Sequence, residues 1–238
     1  NERKTKGLYV TFFVPENQET IKLLPIQNLF YGNDKCPPRL DVLSDHIKRI
    51  NDLEEGAFFI GGNLFYYPNR GSTEQKENIA KGYIDDVSTI LRVADKNKIL
   101  FMYNGVNEWK FFNDGRLKYP IETSRIVAQN LGIEDKYYDD NKAEITFVFN
   151  NALTNYNQEI LKCLFISQGQ IPTTTNAIAS KLNNIANSNI NNGVIVDTSS
   201  SKFCTRRRIV NRSQDPLTSV RQDFTLISPA GYTQMPQI

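Results

Sequence analysis

Short, continuously apolar runs that stop at a turn recur along this chain. AFFIGG at 57–62 and KILFMYNG at 98–105 both close on glycine, and GVIVDTS at 193–199 closes on a polar turn. None shows the alternation of a half-solvated strand, so they predict strands covered on both faces in a largely parallel sheet. LYVTFFV at 8–14, EITFVFN at 144–150 and ILKCLFIS at 160–167 add β-branched and aromatic strand candidates. IKLLPI at 21–26 predicts another, broken at its end by Pro25.

Helical patterns fill the gaps. LDVLSDHIKRIND at 40–52 places Leu40, Leu43, Ile47 and Ile50 at helical spacing after Pro37 and Pro38. The longest pattern, 73–95, lines up Ile79, Tyr83, Val87, Ile90 and Leu91, with Thr73 as its expected N-cap. SRIVAQNLG at 124–132 predicts a helix with a glycine C-cap, and NAIASKLNNIANS at 176–188 predicts another. Strands alternating with helices predict an α/β domain whose functional loops lie at the strand C-termini. The 238 residues suit a single domain, 1–238. Residues 205–238 open on TRRRIVNR and end in a polar, proline-containing stretch. They read as a last strand or hairpin followed by an extended C-terminal arm.

Composition removes several classes. A net charge of +2 gives no electrostatic reason to expect nucleic acid or a membrane surface as partner. No apolar run approaches the ~20 residues needed to span a bilayer, and NERKTKGLYV carries no visible secretory signal. Cys36, Cys163 and Cys204 are odd in number and far apart, which argues against a disulfide framework or structural zinc. His46 is the chain's single histidine. It lies inside a helical pattern, where packing is a commoner role than catalysis.

The order of turns resembles the calcineurin-like metallophosphoesterases, especially the form common in phage genomes. That family carries D-x-H, G-D, G-N-H-E, H-G and G-H-x-H after successive strands, and the resemblance runs from Ile21 to Phe203. PIQNLFYG is similar to the first motif, with Asn28 at the aspartate and Phe30 at the histidine. GGNL sets Asn63 at the bridging aspartate. YNGVNEW keeps Gly105 and Glu108 but has Val106 and Asn107 at the ligand asparagine and catalytic histidine. FISQG has Gln168 at a histidine position, and VDTSS has Thr198 and Ser200 at two more.

The resemblance implies a fold of two mixed β-sheets packed as a sandwich and flanked by helices. It also implies that the metal chemistry is lost. Two divalent cations need carboxylates and neutral imidazoles to offset dehydration, and the hydroxide they hold is the nucleophile. Amides and hydroxyls are uncharged, weak ligands, and Phe30 and Val106 cannot ligate. The expectation is therefore a pseudoenzyme with no metal and no cofactor.

Its expected role is structural or in assembly, as part of a bacteriophage virion or in the host cytoplasm. Its expected partners are other structural proteins or copies of itself. The alternative is a nucleotide- or phosphate-binding regulatory module using the vestigial cleft through Asn28, Asn63 and Asn107. Arg206 to Arg208 read as a solvated stretch ahead of a phosphate grip. Cys163 reads as core, and Phe30 as filler of the vacated site.

Overall fold

The computed structural model describes residues 8–15, 18–67, 73–112, 121–150, 158–167, 174–188, 193–199, 203–211, 221–228 and 231–232. The first half contains β1 (Leu8–Val14), β2 (Lys22–Ile26), α1 (Leu40–Asp52), β3 (Gly56–Ile60), α2 (Thr73–Leu91), β4 (Ile99–Tyr103) and α3 (Val106–Phe112). Then follow α4 (Thr123–Leu131), β5 (Tyr137–Tyr138), β6 (Lys142–Asn150), β7 (Gln158–Ile166), α5 (Thr175–Ser188), β8 (Val194–Asp197), β9 (Cys204–Asn211) and β10 (Arg221–Ser228).

These strands form two sheets. One has four strands in the order β2-β3-β4-β5, and every pairing in it is parallel. Helical crossovers impose that direction: α1 joins β2 to β3, α2 joins β3 to β4, and α3 and α4 lie between β4 and β5. The other has six strands in the order β1-β6-β7-β8-β10-β9 and is mixed, because β6–β7 and β10–β9 run antiparallel. The expectation of two mixed sheets is thus corrected to one mixed and one parallel.

Aromatic side chains fuse the inner faces. Phe59 and Phe101 of the parallel sheet meet Phe165 of the mixed sheet at ring-centroid distances of 4.7 and 5.0 Å, both edge-on. Tyr103, Ile145, Phe147, Cys163 and Val196 share this buried cluster. Cys163 is a core side chain, and its burial pushes the thiol up to about 12.

A second cluster packs the outer face of the parallel sheet against α1, α2 and α4, using Leu43, Ile47, Ile84, Val87, Leu91 and Val127. A third packs α5 through Ile178 and Leu182 onto Leu164, Ile195 and Leu226 of the mixed sheet. The molecule is therefore layered as helices, parallel sheet, mixed sheet and helix. Among the described residues no helix is long and apolar enough to cross a membrane.

One local expectation changes. Pro25 does not break its strand; β2 continues through it to Ile26. β2 is the outer strand of its sheet, where a missing N–H leaves no ladder bond unmade. The hairpin expected at the start of 205–238 is present as β9–β10, built into the mixed sheet, and 233–238, at the end of the expected arm, lie outside the described residues. Beyond the hairpin, Tyr232 is buried, and its backbone carbonyl accepts a bond from Arg39 N at the start of α1. His46 faces this same ring, with Nδ1 3.1 Å from the phenol oxygen, so the single histidine is a packing residue of α1.

Candidate functional site

The strands of both sheets that end together carry the positions singled out in sequence. The loops after β2 and β3 run side by side: Asn28 N donates to Gly62 O, Phe30 N to Asn63 O and Tyr31 N to Leu64 O. To keep this course the backbone enters the left-handed region at Asn28 (φ 52°), Phe30 (φ 46°) and Asn63 (φ 52°). Asparagine tolerates that region because its short side chain can bond locally; phenylalanine does not. Strain of order 1–3 kcal/mol at such a residue persists only where neighbours fix it.

The turn after β4 presses against these loops from the other side. Gly62 and Gly105 touch backbone to backbone, and a Cβ at Gly105 would overlap the Asn63 nitrogen. Glu108, on α3, is buried beneath the loop and accepts from Asn63 N at 2.8 Å and Phe65 N at 3.1 Å. Burial pushes its carboxyl up, and the backbone donors offset this only in part. Glu108 thus holds the shape of the turn after β3.

Four strand ends, those of β2, β3, β4 and β8, converge on one chain of polar contacts. Asn63 Nδ2 donates to Asn28 Oδ1 at 2.8 Å, and Asn28 Nδ2 donates to Thr198 O at 3.0 Å. The Asn107 backbone N–H donates to Asn63 Oδ1 at 3.1 Å. Thr198, just past β8, donates through Oγ1 to Gly61 O at 3.0 Å and lies 2.6 Å from the Tyr103 hydroxyl. Asn28, Asn63, Tyr103 and Thr198 are all fully buried.

Of the eight positions, Asn28, Asn63, Asn107 and Thr198 are brought into this network. Val106 is buried at the first position of α3, beside Asn107. Phe30 is half-buried, whereas a side chain filling a vacated centre would be enclosed. Gln168 and Ser200 lie outside the described residues.

Further members escaped the sequence reading. Asp197 is fully buried at the end of β8 and faces Lys181 Nζ of α5 at 3.0 Å. The Lys181 ammonium also donates to the Ser199 hydroxyl, and Ser199 N donates to Asp197 Oδ1 at 3.1 Å. The signal was present in GVIVDTS, where one acid interrupts an apolar strand and so requires a buried partner. Phe111 is buried and stacks on Tyr67 at a ring-centroid distance of 3.9 Å.

The donor set does not fit a pair of divalent cations. Two amides, a backbone N–H and a hydroxyl meet at the strand ends, with no carboxylate among them, while Glu108 is turned toward backbone donors. Among the described residues no three His, Cys, Asp or Glu side chains gather as a metal site. Compared with known proteins, the chain matches no family model, no curated protein and no solved structure.

Proposed function

We propose that this chain is a catalytically silent phosphoesterase-like domain acting as a structural or assembly component. Its two packed sheets would be the frame of that family, kept for shape and surface. The observation that carries the reading is the mutual saturation of the strand-end residues. Asn28 and Asn63 bond to each other, to Thr198 O and to Asn107 N–H, where the family motifs would present ligands to metal. Fully buried amides paired in this way are a structural tie between loops. A nucleotide or phosphate module has less support, since it would need these same groups turned toward a ligand. The virion setting rests on the likeness to phage-type members.

The test is direct. Incubated with manganese or zinc and then desalted, the chain is expected to hold no stoichiometric metal and to leave a chromogenic phosphodiester intact. Metal-dependent turnover abolished by Asn63→Ala would overturn the silent-site reading. Mass spectrometry of purified phage particles tests the setting, with the chain expected among their structural proteins.

A further inference from the structure

A sheet edge is a row of unpaired N–H and C=O groups, and proteins that stay monomeric blunt it with charge, proline or shortness. Among the described residues the two sheets present four edges, and three of them are blunted. β9 carries Arg206, Arg207 and Arg208 in succession. β2 carries Lys22 and Pro25, and β5 is only two residues long. The fourth edge, β1, is LYVTFFV: seven residues without a charge, a proline or a glycine. Among the described residues it pairs on one side only, with β6.

The side chains of β1 add to the anomaly. Val10, Phe12 and Val14 point inward, into the core between the sheets. Tyr9, Thr11 and Phe13 point the other way, where α5 does not reach; Tyr9 is 73% and Phe13 69% exposed. Exposed aromatics on an unblunted edge strand are the features that negative design removes from a monomer.

We infer that β1 is a self-pairing edge, along which two copies of this chain join their mixed sheets through an antiparallel contact centred on Thr11. A second copy is favoured because the strand is complementary to its own reverse. Centred on Thr11, Tyr9 lies opposite the second copy's Phe13, Val10 opposite its Phe12, and Leu8 opposite its Val14. The register matches aromatic with aromatic on the outer face and apolar with apolar on the inner one. It is also the one symmetric register that pairs all seven residues. The two-fold contact is closed, so it yields a dimer with a continuous twelve-stranded sheet and no open fibre. Covering four aromatic side chains removes on the order of 500 Å² of exposed surface. That places the contact among small, concentration-dependent interfaces.

This deepens the assembly reading by naming a surface and a partner, yet its failure is separable. A catalytically active chain could still self-pair along β1, and an inactive one could assemble through another face. The experiment uses the 238-residue chain with Cys36→Ser to remove the half-buried thiol. In the paired strands the two Thr11 Cα atoms lie about 4.5–5.5 Å apart, within disulfide reach. Thr11→Cys should therefore cross-link to a covalent dimer under mild oxidant. Tyr9→Cys should not cross-link to itself, because the two positions are offset by roughly 13 Å along the strands. A mixture of Tyr9→Cys and Phe13→Cys should cross-link.

By sedimentation, the parent chain should rise toward twice its monomer mass with concentration. Thr11→Lys should remain monomeric with an unchanged melting temperature. A parent that stays monomeric, or Tyr9→Cys cross-linking to itself as fast as Thr11→Cys, overturns the proposal. So does a monomer whose β1 amides resist hydrogen exchange on both sides, since its own chain then covers the edge.

Discussion

The phenol of Tyr103, at the end of a parallel-sheet strand, lies 2.6 Å from the hydroxyl of Thr198, which follows a mixed-sheet strand. Both residues are fully buried, and burial pushes the Tyr103 phenol well above its ordinary range. With the Thr198 proton directed to Gly61 O at 3.0 Å, the Tyr103 hydroxyl is left to donate to Thr198 Oγ1. This relay fastens the two sheets at their strand ends.

Removing each end of that relay should cost different amounts. Tyr103→Phe takes away one donor and leaves the Thr198–Gly61 bond, so a loss of about 1 kcal/mol is expected. Thr198→Val leaves both the phenol and Gly61 O without this partner, and about 2–3 kcal/mol is expected. The double variant should cost less than the sum, by at least about 0.5 kcal/mol. Urea denaturation of the four proteins measures this. Strict additivity would mean the two hydroxyls are not coupled.

Phe30 offers a test of backbone strain. Its side chain is half-buried while its φ is 46°, a region that glycine enters freely. Phe30→Gly should therefore be more stable than Phe30→Ala, by about 1 kcal/mol. Equal stabilities would show that the loop relaxes once the ring is gone.

The elements were legible because their signals are local. Apolar runs marked β3, β4 and β8, and helical spacing marked Leu43 and Ile47, whose burial on α1 follows from it. The glycine cap at Gly132 was readable for the same reason, and it adopts φ 68°. The site was legible only as a set of positions. Spacing could say that Asn28, Asn63 and Thr198 follow strands. It could not say that Asn28 and Thr198, 170 residues apart, would bond. Nor could it assign Phe30, because a side chain's burial after a left-handed residue depends on where the turn aims it. The division of the strands into two sheets, and the placing of β10 between β8 and β9, are tertiary choices that local pattern does not encode.

Glu108 should leave a pH signature. Its folded pKa is raised, chiefly by burial, so its stabilising contribution is fully present below the ordinary glutamate value of about 4.3. That contribution is lost as pH rises through the folded value. Glu108→Gln does not titrate and turns an amide N–H toward one of two backbone donors, costing about 1–3 kcal/mol. The stability gap between parent and variant should be widest near pH ~4 and narrow toward neutrality. Denaturation midpoints across that window measure it. A gap that widens with pH would mean the loop's backbone donors outweigh burial and favour the carboxylate.

The amide pair gives the sharpest test of what the strand ends are built to hold. Asn63 Nδ2 donates to Asn28 Oδ1 at 2.8 Å, and neither side chain has exposure to water. Asn28→Asp with Asn63→Asp would set two buried carboxylates in that contact, where both cannot ionise, and one would be driven to a raised pKa. Its contribution would be intact below the ordinary aspartate value of about 3.9 and lost as pH rose through the raised one. The double variant should therefore be less stable than the parent at neutral pH and regain ground as pH falls toward ~4. If two carboxylates were all a metal centre lacked, manganese would rescue the variant at neutral pH by neutralising the pair. Because Phe30 and Val106 offer no donor, and Asn107 reaches the pair through its backbone N–H, the rescue is expected to be absent or weak. Thermal melts of parent and variant, with and without manganese, decide the matter. A large metal-dependent rise in melting temperature would show that the frame still holds the geometry of a metal site.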